Sequence, residues 1–437
     1  MRGLEALFPS DPKRRERLGR WLGYLAIALA VFLMVRAVRK EGGVMELNRA
    51  FGARFLAGED PWFDPARGHR VHGPYPPSLA WVAVPLSWMP LHVARGVWAA
   101  LQVGALLLLY RTLRERVRTN FPSAAEHMPM LFAFSLLLAS RFLLRDFAGG
   151  GGNLIYATLA YVGVEFALRG RPIAAGAALG ISLVLKPNLV LLVLFLALRR
   201  RFRATASAIG FALIFFWLPS LAYGPARYAE LAREWASGVV EYAALEDLAQ
   251  SSQIPDGLPI GNDGMNQALR EAVGRMLRPP GDTGAIDVHV LELSPQWAIG
   301  LARGMSLALI ALAAIVALRA RGARAEWLAL QVFFPLSLLI SPITWKAHHA
   351  ALVPLFFALC CTTFERAASS RAWIAFLSIY WIACDLLSED VVGKTAKRAL
   401  QAISLVTWFD VALLVGLALL SLRETREREV DLLRASA

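Results

Sequence analysis

One acidic side chain, Glu46, follows the first long apolar segment of the chain and lies in a polar stretch of residues 38–77. A carboxylate there could take a proton from a hydroxyl group at a membrane surface, as general bases do. The ordinary alternative is a solvated loop charge, because glutamates are mostly exposed. Glu59, Asp60 and Asp64 in the same stretch are rival carboxylates. Glu46 is therefore the candidate base, with three alternatives nearby.

A second candidate is Lys186, which lies within the apolar run 172–198 and is followed by Pro187. An ionisable side chain at membrane depth is costly and is a functional hypothesis by default. Proline removes a backbone donor and disfavours helix at the residue before it. The run could therefore consist of two half-helices that meet at Lys186, where the ammonium could hold a lipid phosphate. The alternative is a lysine that snorkels from a helix end.

Four glycines, Gly149 to Gly152, precede Asn153 at the start of another apolar run. Glycine-rich turns let a backbone approach a phosphate, and helix N-termini favour anions. The run lacks the spacing and the Lys-Ser/Thr pair of a nucleotide-binding P-loop, so no nucleotide site is predicted. Close helix packing is the plain alternative.

Three further groups carry candidate side chains between apolar runs. The segment 341–349 reads Ser-Pro-Ile-Thr-Trp-Lys-Ala-His-His, and one imidazole of His348 or His349 could contact a phosphate or a sugar hydroxyl. Tyr75 opens the second apolar run, where an interfacial aromatic residue is the plain interpretation. In the third group the amides of Asn262 and Asn266 and the guanidinium of Arg270 suit sugar hydroxyls and phosphate, although a turn before a helix explains the same residues.

Composition restricts the class of protein. Hydrophobic residues make up 57% of the 437 residues and charged residues 18%, and the net charge is +13. Soluble chains carry about 25% charged residues, so this pattern indicates a polytopic membrane protein of the all-α class. The arginines cluster at the ends of apolar runs, which is the pattern of arginine-rich cytoplasmic loops. They do not form a basic face for nucleic acid. The three cysteines lie in apolar runs and are predicted to pack there, and no metal site is predicted.

We predict about twelve membrane spans from the lengths of the apolar runs. An even number places both termini on one side, and the arginine-rich termini indicate the cytoplasm. The predicted division is a cytoplasmic tail of residues 1–17, a membrane domain of residues 18–421 with outer loops 39–76 and 224–295, and a cytoplasmic tail of residues 422–437. The basic residues from Arg111 to Arg118 fit this topology poorly, since it places them on the outer side of the membrane. The candidate spans are 18–38, 77–91, 94–112, 128–145, 153–168, 172–198, 204–223, 296–319, 325–341, 344–363, 371–388 and 397–421.

The long loop 224–295 is predicted to form a partly helical cap, because loops beyond about 15 residues are usually functional or disordered. Its helix-like stretches are Ala226 to Ala244 and Met265 to Leu277, and Pro279-Pro280-Gly281-Asp282 interrupts the chain after them.

Taken in order, these pieces resemble the motifs of glycosyltransferase family 87 in the GT-C superfamily. The first loop is similar to the family's acidic-Leu start followed by Gly-x-x-Pro-aromatic and Tyr-x-Pro, and Gly150 to Asn153 is similar to its Gly-Gln-x-Asn. Lys186-Pro187 resembles its lysine-proline step, Asn262 to Arg270 its Asn-Gln-Ser-x-Asn-x-x-x-Arg, and Ser341 to His349 its Ser-Pro-x-x-Trp-x-x-His-His. Three departures are Glu46 for aspartate, Gly151 for glutamine, and Asp263-Gly264 for Gln-Ser.

The resemblance implies transfer of a sugar, typically mannose, from a polyprenyl-phosphate donor to a lipid or glycan acceptor. The reaction would take place on the outer face of the cytoplasmic membrane, with inversion and without a metal or other cofactor. Glu46 would act as the base. Lys186 and Arg270 would stabilise the departing phosphate with His348 or His349, and Asn262 and Asn266 would orient the sugar.

Two other functions are compatible with the sequence. A transporter or flippase of a lipid-linked sugar would use Lys186 in a broken span to line its pathway, but matched broken helices in two halves are not evident. An inactive structural subunit of envelope assembly is the second alternative. Partners under the enzyme hypothesis are the lipid-linked donor, the acceptor and membrane lipids, and no nucleic acid is expected.

Overall fold

The computed structural model describes residues 11–40, 43–64, 69–70, 75–244, 265–279, 286–366 and 371–436. It confirms the all-α class. One antiparallel ladder pairs Phe63–Asp64 (β1) with His69–Arg70 (β2). The α-helices are α1 Pro12–Arg39, α2 Val44–Ala57, α3 Ala80–Ser87, α4 Leu91–Asn120, α5 Pro122–Ala125, α6 Met128–Leu138, α7 Ser140–Gly149, α8 Asn153–Leu168, α9 Pro172–Leu185, α10 Leu191–Leu198, α11 Phe202–Trp217, α12 Ser220–Tyr223, α13 Pro225–Ala244, α14 Leu269–Leu277, α15 Pro295–Arg319, α16 Ala323–Ile340, α17 Val353–Glu365, α18 Arg371–Tyr380, α19 Glu389–Ala402 and α20 Leu405–Ser436.

Three short 3₁₀-helices and one π-helical segment complete the helical structure of the described residues. The 3₁₀-helices are Pro77–Leu79, Pro187–Val190 and Lys346–Leu352, and the π-helical segment is Trp381–Leu386. Each of them adjoins a longer helix and marks a point where regular α geometry is interrupted.

The described residues confirm a multi-pass membrane protein but do not confirm a count of twelve spans. Seven helical segments are long and apolar enough to cross a membrane, and two bent pairs raise the number to nine. Four further apolar helices have only 10–17 residues. The seven segments are Pro12–Arg39, Leu91–Asn120, Phe202–Tyr223, Pro295–Arg319, Ala323–Ile340, Lys346–Glu365 and Leu405–Arg434.

Prolines and breaks account for several differences from the predicted spans. The candidate span 77–91 is a short 3₁₀ turn followed by the eight-residue α3, about 12 Å of helix against a hydrocarbon core of about 30 Å. The run 172–198 is interrupted at Lys186, as predicted, since α9 ends at Leu185 and Pro187 begins a 3₁₀-helix.

Two other candidate spans are interrupted in the structure. The candidate span 128–145 bends by 69° between α6 and α7, and the candidate span 397–421 is divided between α19 and α20. Ser404, at the second break, has a φ of +57°. That left-handed conformation ends a helix. The cap loop keeps its predicted first helix as α13, whereas its second, α14, begins four residues later than predicted, at Leu269.

Glycines allow close packing in the first half of the bundle. Helix α9 contacts both α8 and α11. A methyl group on Gly180 would lie 2.7 Å from Cβ of Phe211 and 2.9 Å from the backbone nitrogen of Ala212. A methyl group on Gly163 of α8 would lie 2.8 Å from Cγ of Leu179. Small residues of this kind let membrane helices approach at backbone distance.

Arginines gather at one end of the bundle. Arg324 donates to the carbonyl of Asn120 at 2.6 Å, and Arg366 pairs with Glu424 at 2.7 Å, so the ends of α4, α17 and α20 meet. They surround a polar cavity of about 1060 Å³ that Arg428 also lines. Because α4 is a single 30-residue helix, its basic C-terminal part reaches this end, which removes the misfit of residues 111–118.

A separate small core ties the first loop to the cap. Phe55 of α2 stacks on Tyr223 with ring centroids 4.3 Å apart, and the Tyr223 hydroxyl donates to the carbonyl of Glu59 at 2.6 Å. The buried apolar residues of this core are Phe51, Phe55, Trp62, Leu79, Ala80, Ala83, Tyr228 and Leu231. These contacts fix α2 at the end of the bundle opposite the arginine-rich end, beside α3 and α12.

The glycine contact between α9 and α11 gives a test of the packing. Gly180→Ala should destabilise the protein by about 1–3 kcal/mol, because the added methyl group overlaps the backbone of α11. Gly210→Ala is the matched control, since no atom lies within 4 Å of a methyl group at that position. Thermal unfolding in detergent should show a lower melting temperature for the first variant only. Equal melting temperatures would contradict this packing.

Candidate functional site

Lys186 lies at the junction between α9 and the following 3₁₀-helix, with φ −144° and ψ 81°. The conformation is extended because Pro187 disfavours a helical residue before it. The break leaves carbonyl groups at the end of α9 without helical partners. One of them, that of Val184, accepts a 2.6 Å hydrogen bond from the hydroxyl of Ser78. The segment that follows Tyr75 is thereby tied to the residues that carry Lys186.

The Lys186 ammonium faces an imidazole and a phenol ring. Its Nζ lies 3.0 Å from Nε2 of His348 and 5.2 Å from the ring centroid of Tyr75. Burial, with a smaller contribution from the charge of Asp146, raises the pKa of Tyr75 to about 12. Tyr75 therefore keeps its proton and can act as a hydrogen-bond donor.

The hydrogen bonds of His348 indicate what this group of residues can bind. The backbone N–H of Trp345 lies 3.3 Å from Nδ1 of His348, and the carbonyl of Ile343 also hydrogen-bonds the ring. A lysine ammonium has only donors, so in the 3.0 Å contact the ammonium donates to Nε2 when the ring proton is on Nδ1. An anionic oxygen beside the pair would accept from the ammonium, and also from the imidazole when its Nε2 carries a proton. Phosphate oxygens are such acceptors.

The glycine-rich turn lies beside this group. Gly150 and Gly152 have φ of +72° and +69°, which L-side chains rarely adopt. The turn starts α8, and Asp146 of α7 accepts hydrogen bonds there from the backbone of Asn153 at 3.1 Å and of Leu154 at 3.0 Å. Nδ2 of Asn153 also donates to Asp146, at 2.7 Å. Asp146 is thus the cap of α8, fully buried and within electrostatic range of Lys186.

Glu46 lies in the first turn of α2, on the other side of the glycine-rich turn. A methyl group on Gly150 would come within 2.9 Å of Cβ of Met45, so α2 packs directly on the turn. Oε1 of Glu46 accepts a 3.0 Å salt bridge from Arg95 of α4. The Glu46 side chain is 44% exposed and that of Arg95 only 7%. The carboxylate is therefore paired with a buried arginine and accessible from outside the bundle.

The two adjacent histidines have different surroundings. His349 is fully buried, with Nε2 at 2.7 Å from Oδ2 of Asp410 and Nδ1 at 3.2 Å from the carbonyl of Trp345. A contact with a carbonyl oxygen requires a proton on Nδ1. Nε2 and Asp410 then share one further proton, either as an ion pair or as a neutral pair. His349 holds the backbone of Trp345 in place, and His348 alone faces Lys186.

Asn266 holds the same loop from its opposite side. Its Nδ2 donates to the carbonyl of Pro342 at 3.0 Å, and its Oδ1 accepts from the backbone of Thr344 at 2.9 Å. The residue is 0% exposed. The backbone of Gln267 adds a 2.6 Å bond to the carbonyl of Thr344. These contacts give Asn266 a positioning role for the loop that bears His348.

The structure therefore brings together most of the candidate residues at one end of the bundle. Tyr75, Lys186 and His348 form one group, Asn153 lies behind it with Asp146, and Glu46 lies across the glycine-rich turn. Arg270 is half-buried in the first turn of α14. Asn262 lies outside the described residues.

A family model described as Glycosyltransferase family 87 matches residues 74–342, more than half of the chain. The chain belongs to glycosyltransferase family 87. As a member it is a membrane glycosyltransferase. The matched segment includes Tyr75, Asn153, Lys186 and Arg270, whereas Glu46 and both histidines lie beyond its ends. Neither curated proteins nor solved structures give a match.

The sequence also held signals for residues of this glycosyltransferase that we did not single out. Asp410 lies in the apolar run 397–421, where the rule that selected Lys186 applies equally, and Asp146 directly follows the run 128–145. Arg95 is the partner of Glu46, but a pairing across 49 residues has no local signal. Arg275 donates to the carbonyl of Asn266 at 2.7 Å and to the hydroxyl of Ser404 at 2.7 Å, and so links α14 to the second break.

The pair of His349 and Asp410 predicts a specific effect on stability. Asp410→Ala would leave Nε2 of His349 buried without its partner, which costs about 1–3 kcal/mol. Asp410→Asn should retain most of the stability, because its amide can still donate to Nε2. Asp431→Ala is the control, as an exposed carboxylate on the same helix α20. The three melting temperatures in detergent should rank Asp410→Ala lowest, and an unchanged value for that variant would exclude a structural role for the pair.

Proposed function

We propose that this family 87 enzyme transfers a sugar from a polyprenyl-phosphate donor to an acceptor hydroxyl on the outer face of the cytoplasmic membrane. The observation that carries the proposal is the 3.0 Å approach of Lys186 Nζ and His348 Nε2 at a break in an apolar bundle. This pair suits the anionic phosphodiester of such a donor better than a neutral solute, because the ammonium donates to anionic oxygens and a protonated imidazole nitrogen does the same.

In the proposed reaction, the acceptor oxygen attacks the anomeric carbon of the donor sugar and Glu46 takes the hydroxyl proton. The bond between the anomeric carbon and the phosphate oxygen breaks as the new glycosidic bond forms, so the configuration inverts. Polyprenyl phosphate leaves with the electron pair. Lys186 and His348 stabilise the charge that grows on its oxygen. No metal takes part in this scheme, and the proton passes from Glu46 to solvent.

The surroundings of Glu46 support its role as the base. Arg95 pairs with one oxygen of the carboxylate at 3.0 Å and holds the side chain in place. The Glu46 side chain is 44% exposed, so an acceptor hydroxyl can reach the carboxylate. Asp146 is a weaker candidate because it is fully buried and already accepts three hydrogen bonds.

The finer details follow from the family resemblance. Mannose is the proposed sugar, and the acceptor is a lipid or a glycan. The outer location of the site is supported by the arginine-rich opposite end, since basic loops favour the cytoplasm. Both termini would then be cytoplasmic, because α1 begins and α20 ends near that side. Arg15 in the first turn of α1 pairs with Glu126, and Arg321 pairs with Glu429 near the end of α20.

Replacing the proposed base tests the mechanism directly. Glu46→Gln should reduce transfer by at least about 100-fold, because a general base contributes 10²–10⁴ in rate. The amide can still accept the hydrogen bond of Arg95, so folding should be retained. Mass detection of the product, formed from polyprenyl-phosphate mannose and a native membrane extract, measures the effect. Glu59→Gln is the control, an exposed carboxylate of the same loop, and full activity of Glu46→Gln would reassign the base.

Replacing the proposed phosphate ligand tests the donor site. Lys186→Met should raise the KM for polyprenyl-phosphate mannose and lower kcat, because the ammonium contacts the phosphate before and during bond cleavage. A loss of about 10-fold or more in kcat/KM corresponds to one charge-assisted hydrogen bond. Lys40→Met, an exposed lysine that follows α1, is the control. An unchanged KM and kcat for Lys186→Met would remove Lys186 from the donor site.

A further inference from the structure

A second basic cluster lies next to the candidate site, on the other face of α7. Arg141 and Arg145 are one turn apart on α7 and therefore share a face. Helix α7 packs on the 3₁₀-helix that begins with Lys346. Lys346 is within electrostatic range of Arg141, Lys397 and Arg145. These four residues, Arg141, Arg145, Lys346 and Lys397, are called the Lys346 cluster below.

The cluster carries more positive than negative charge. Asp385 accepts from the backbone of Arg141 at 2.7 Å, and Glu389 pairs with Lys397. Neither Lys346 nor Arg145 has a salt-bridge partner in the part of the chain that the structure describes. Lys346 is only partly exposed and the Lys397 side chain is 16% exposed. Arg145 is exposed, and Glu389 lies within electrostatic range of it. The excess positive charge around the partly buried Lys346 would be relieved by an added anion.

The cluster is separate from the pocket of Lys186. Lys346 and His348 are two residues apart in a 3₁₀-helix of three residues per turn, so their side chains point about 120° apart. His348 faces Lys186, whereas Lys346 faces the arginines of α7. On α7 itself, Asp146 faces the glycine-rich turn and Arg145 precedes it by one residue, on a different face. Helix α7 therefore separates two cationic groups that share one end of the bundle.

The location of the cluster is also unusual for a membrane protein. In the proposed orientation it lies on the outer side, where lysines and arginines are depleted. An excess of cations on that side is the charge pattern that attracts an anionic molecule. One phosphate of the donor occupies the pocket of Lys186 and His348, so a second anion site has to serve a different molecule.

We propose that the Lys346 cluster binds a phosphate group carried by the acceptor, next to the donor phosphate but on the other side of α7. This assignment rests on the proposed function, because it takes the Lys186 pocket as the donor site. The acceptor class is then an anionic molecule whose phosphate lies at the membrane surface, either in a lipid headgroup or in a soluble phosphorylated glycan. Arg141 and Lys346 contact the phosphate, and Arg145 and Lys397 add positive charge around it.

Direct binding to the purified full-length protein in detergent tests the proposal without any sugar donor. The probes are dioctanoyl phosphatidylglycerol, dioctanoyl phosphatidylcholine and inorganic phosphate, each at constant ionic strength. We expect phosphatidylglycerol to bind more tightly than phosphatidylcholine. Lys346→Met/Arg145→Gln should raise the Kd for phosphatidylglycerol at least about 10-fold, because two charge-assisted contacts are lost. A parallel loss for inorganic phosphate supports a soluble acceptor as well, and a loss confined to the lipid supports a lipid acceptor.

The control variant is Arg426→Gln/Arg428→Gln, which removes the same charge at the arginine-rich end. It should bind phosphatidylglycerol as the wild type does. An equal loss in the control, or no loss in Lys346→Met/Arg145→Gln, would overturn the proposal. A loss in Lys186→Met that equals the loss in the double variant would also overturn it, because the two sites would be one. A protein that shows the expected binding but transfers no sugar contradicts the proposed reaction and leaves the anion site intact.

Discussion

The site depends on an amine held at a break in an apolar helix. The proline after Lys186 prevents α9 from continuing, and the resulting junction places the lysine ammonium beside His348. A buried ammonium without a counter-charge is unfavourable by itself and becomes favourable once an anion contacts it. The same feature that weakens the helix therefore forms the proposed phosphate site. Without the break, Lys186 would either leave the bundle or be neutralised.

The remaining polar groups keep this arrangement rigid. His349 and Asp410 fix the carbonyl of Trp345, and Asn266 fixes the segment before it, so the short loop that bears His348 is bound from two sides. Arg275 then joins Asn266 to the break at Ser404, which precedes the helix of Asp410. These contacts join α14, the loop and α20 to one another by hydrogen bonds. Preorganised donors of this kind need no rearrangement when charge develops in a transition state.

Local signals in the sequence predicted the parts of the site that depend on local physics. Lys186 and Pro187 are adjacent, so the break and its charge were readable, and the apolar runs predicted the helices. Arg95 could not be assigned to Glu46, because the pairing depends on how α2 docks on α4. Asn266 was predicted to bind the sugar. An amide offers the same donors and acceptors to a sugar hydroxyl and to a backbone group, so the sequence does not distinguish these two roles. Only the packing of the loop showed that its amide groups bind the backbone.

The glycine-rich turn connects the two halves of the proposed chemistry. Its positive φ values bring the chain back sharply, so that α2 lies against Gly150 on one side while Asp146 caps α8 on the other. A side chain at Gly150 would push α2 outward by colliding with Met45, and Glu46 is the next residue. The position of the proposed base is thus set by the same turn that orders Asn153 behind the proposed phosphate site. A backbone without side chains is needed here because two helices and a cap meet within a few ångströms, and this requirement explains the glycines without any nucleotide.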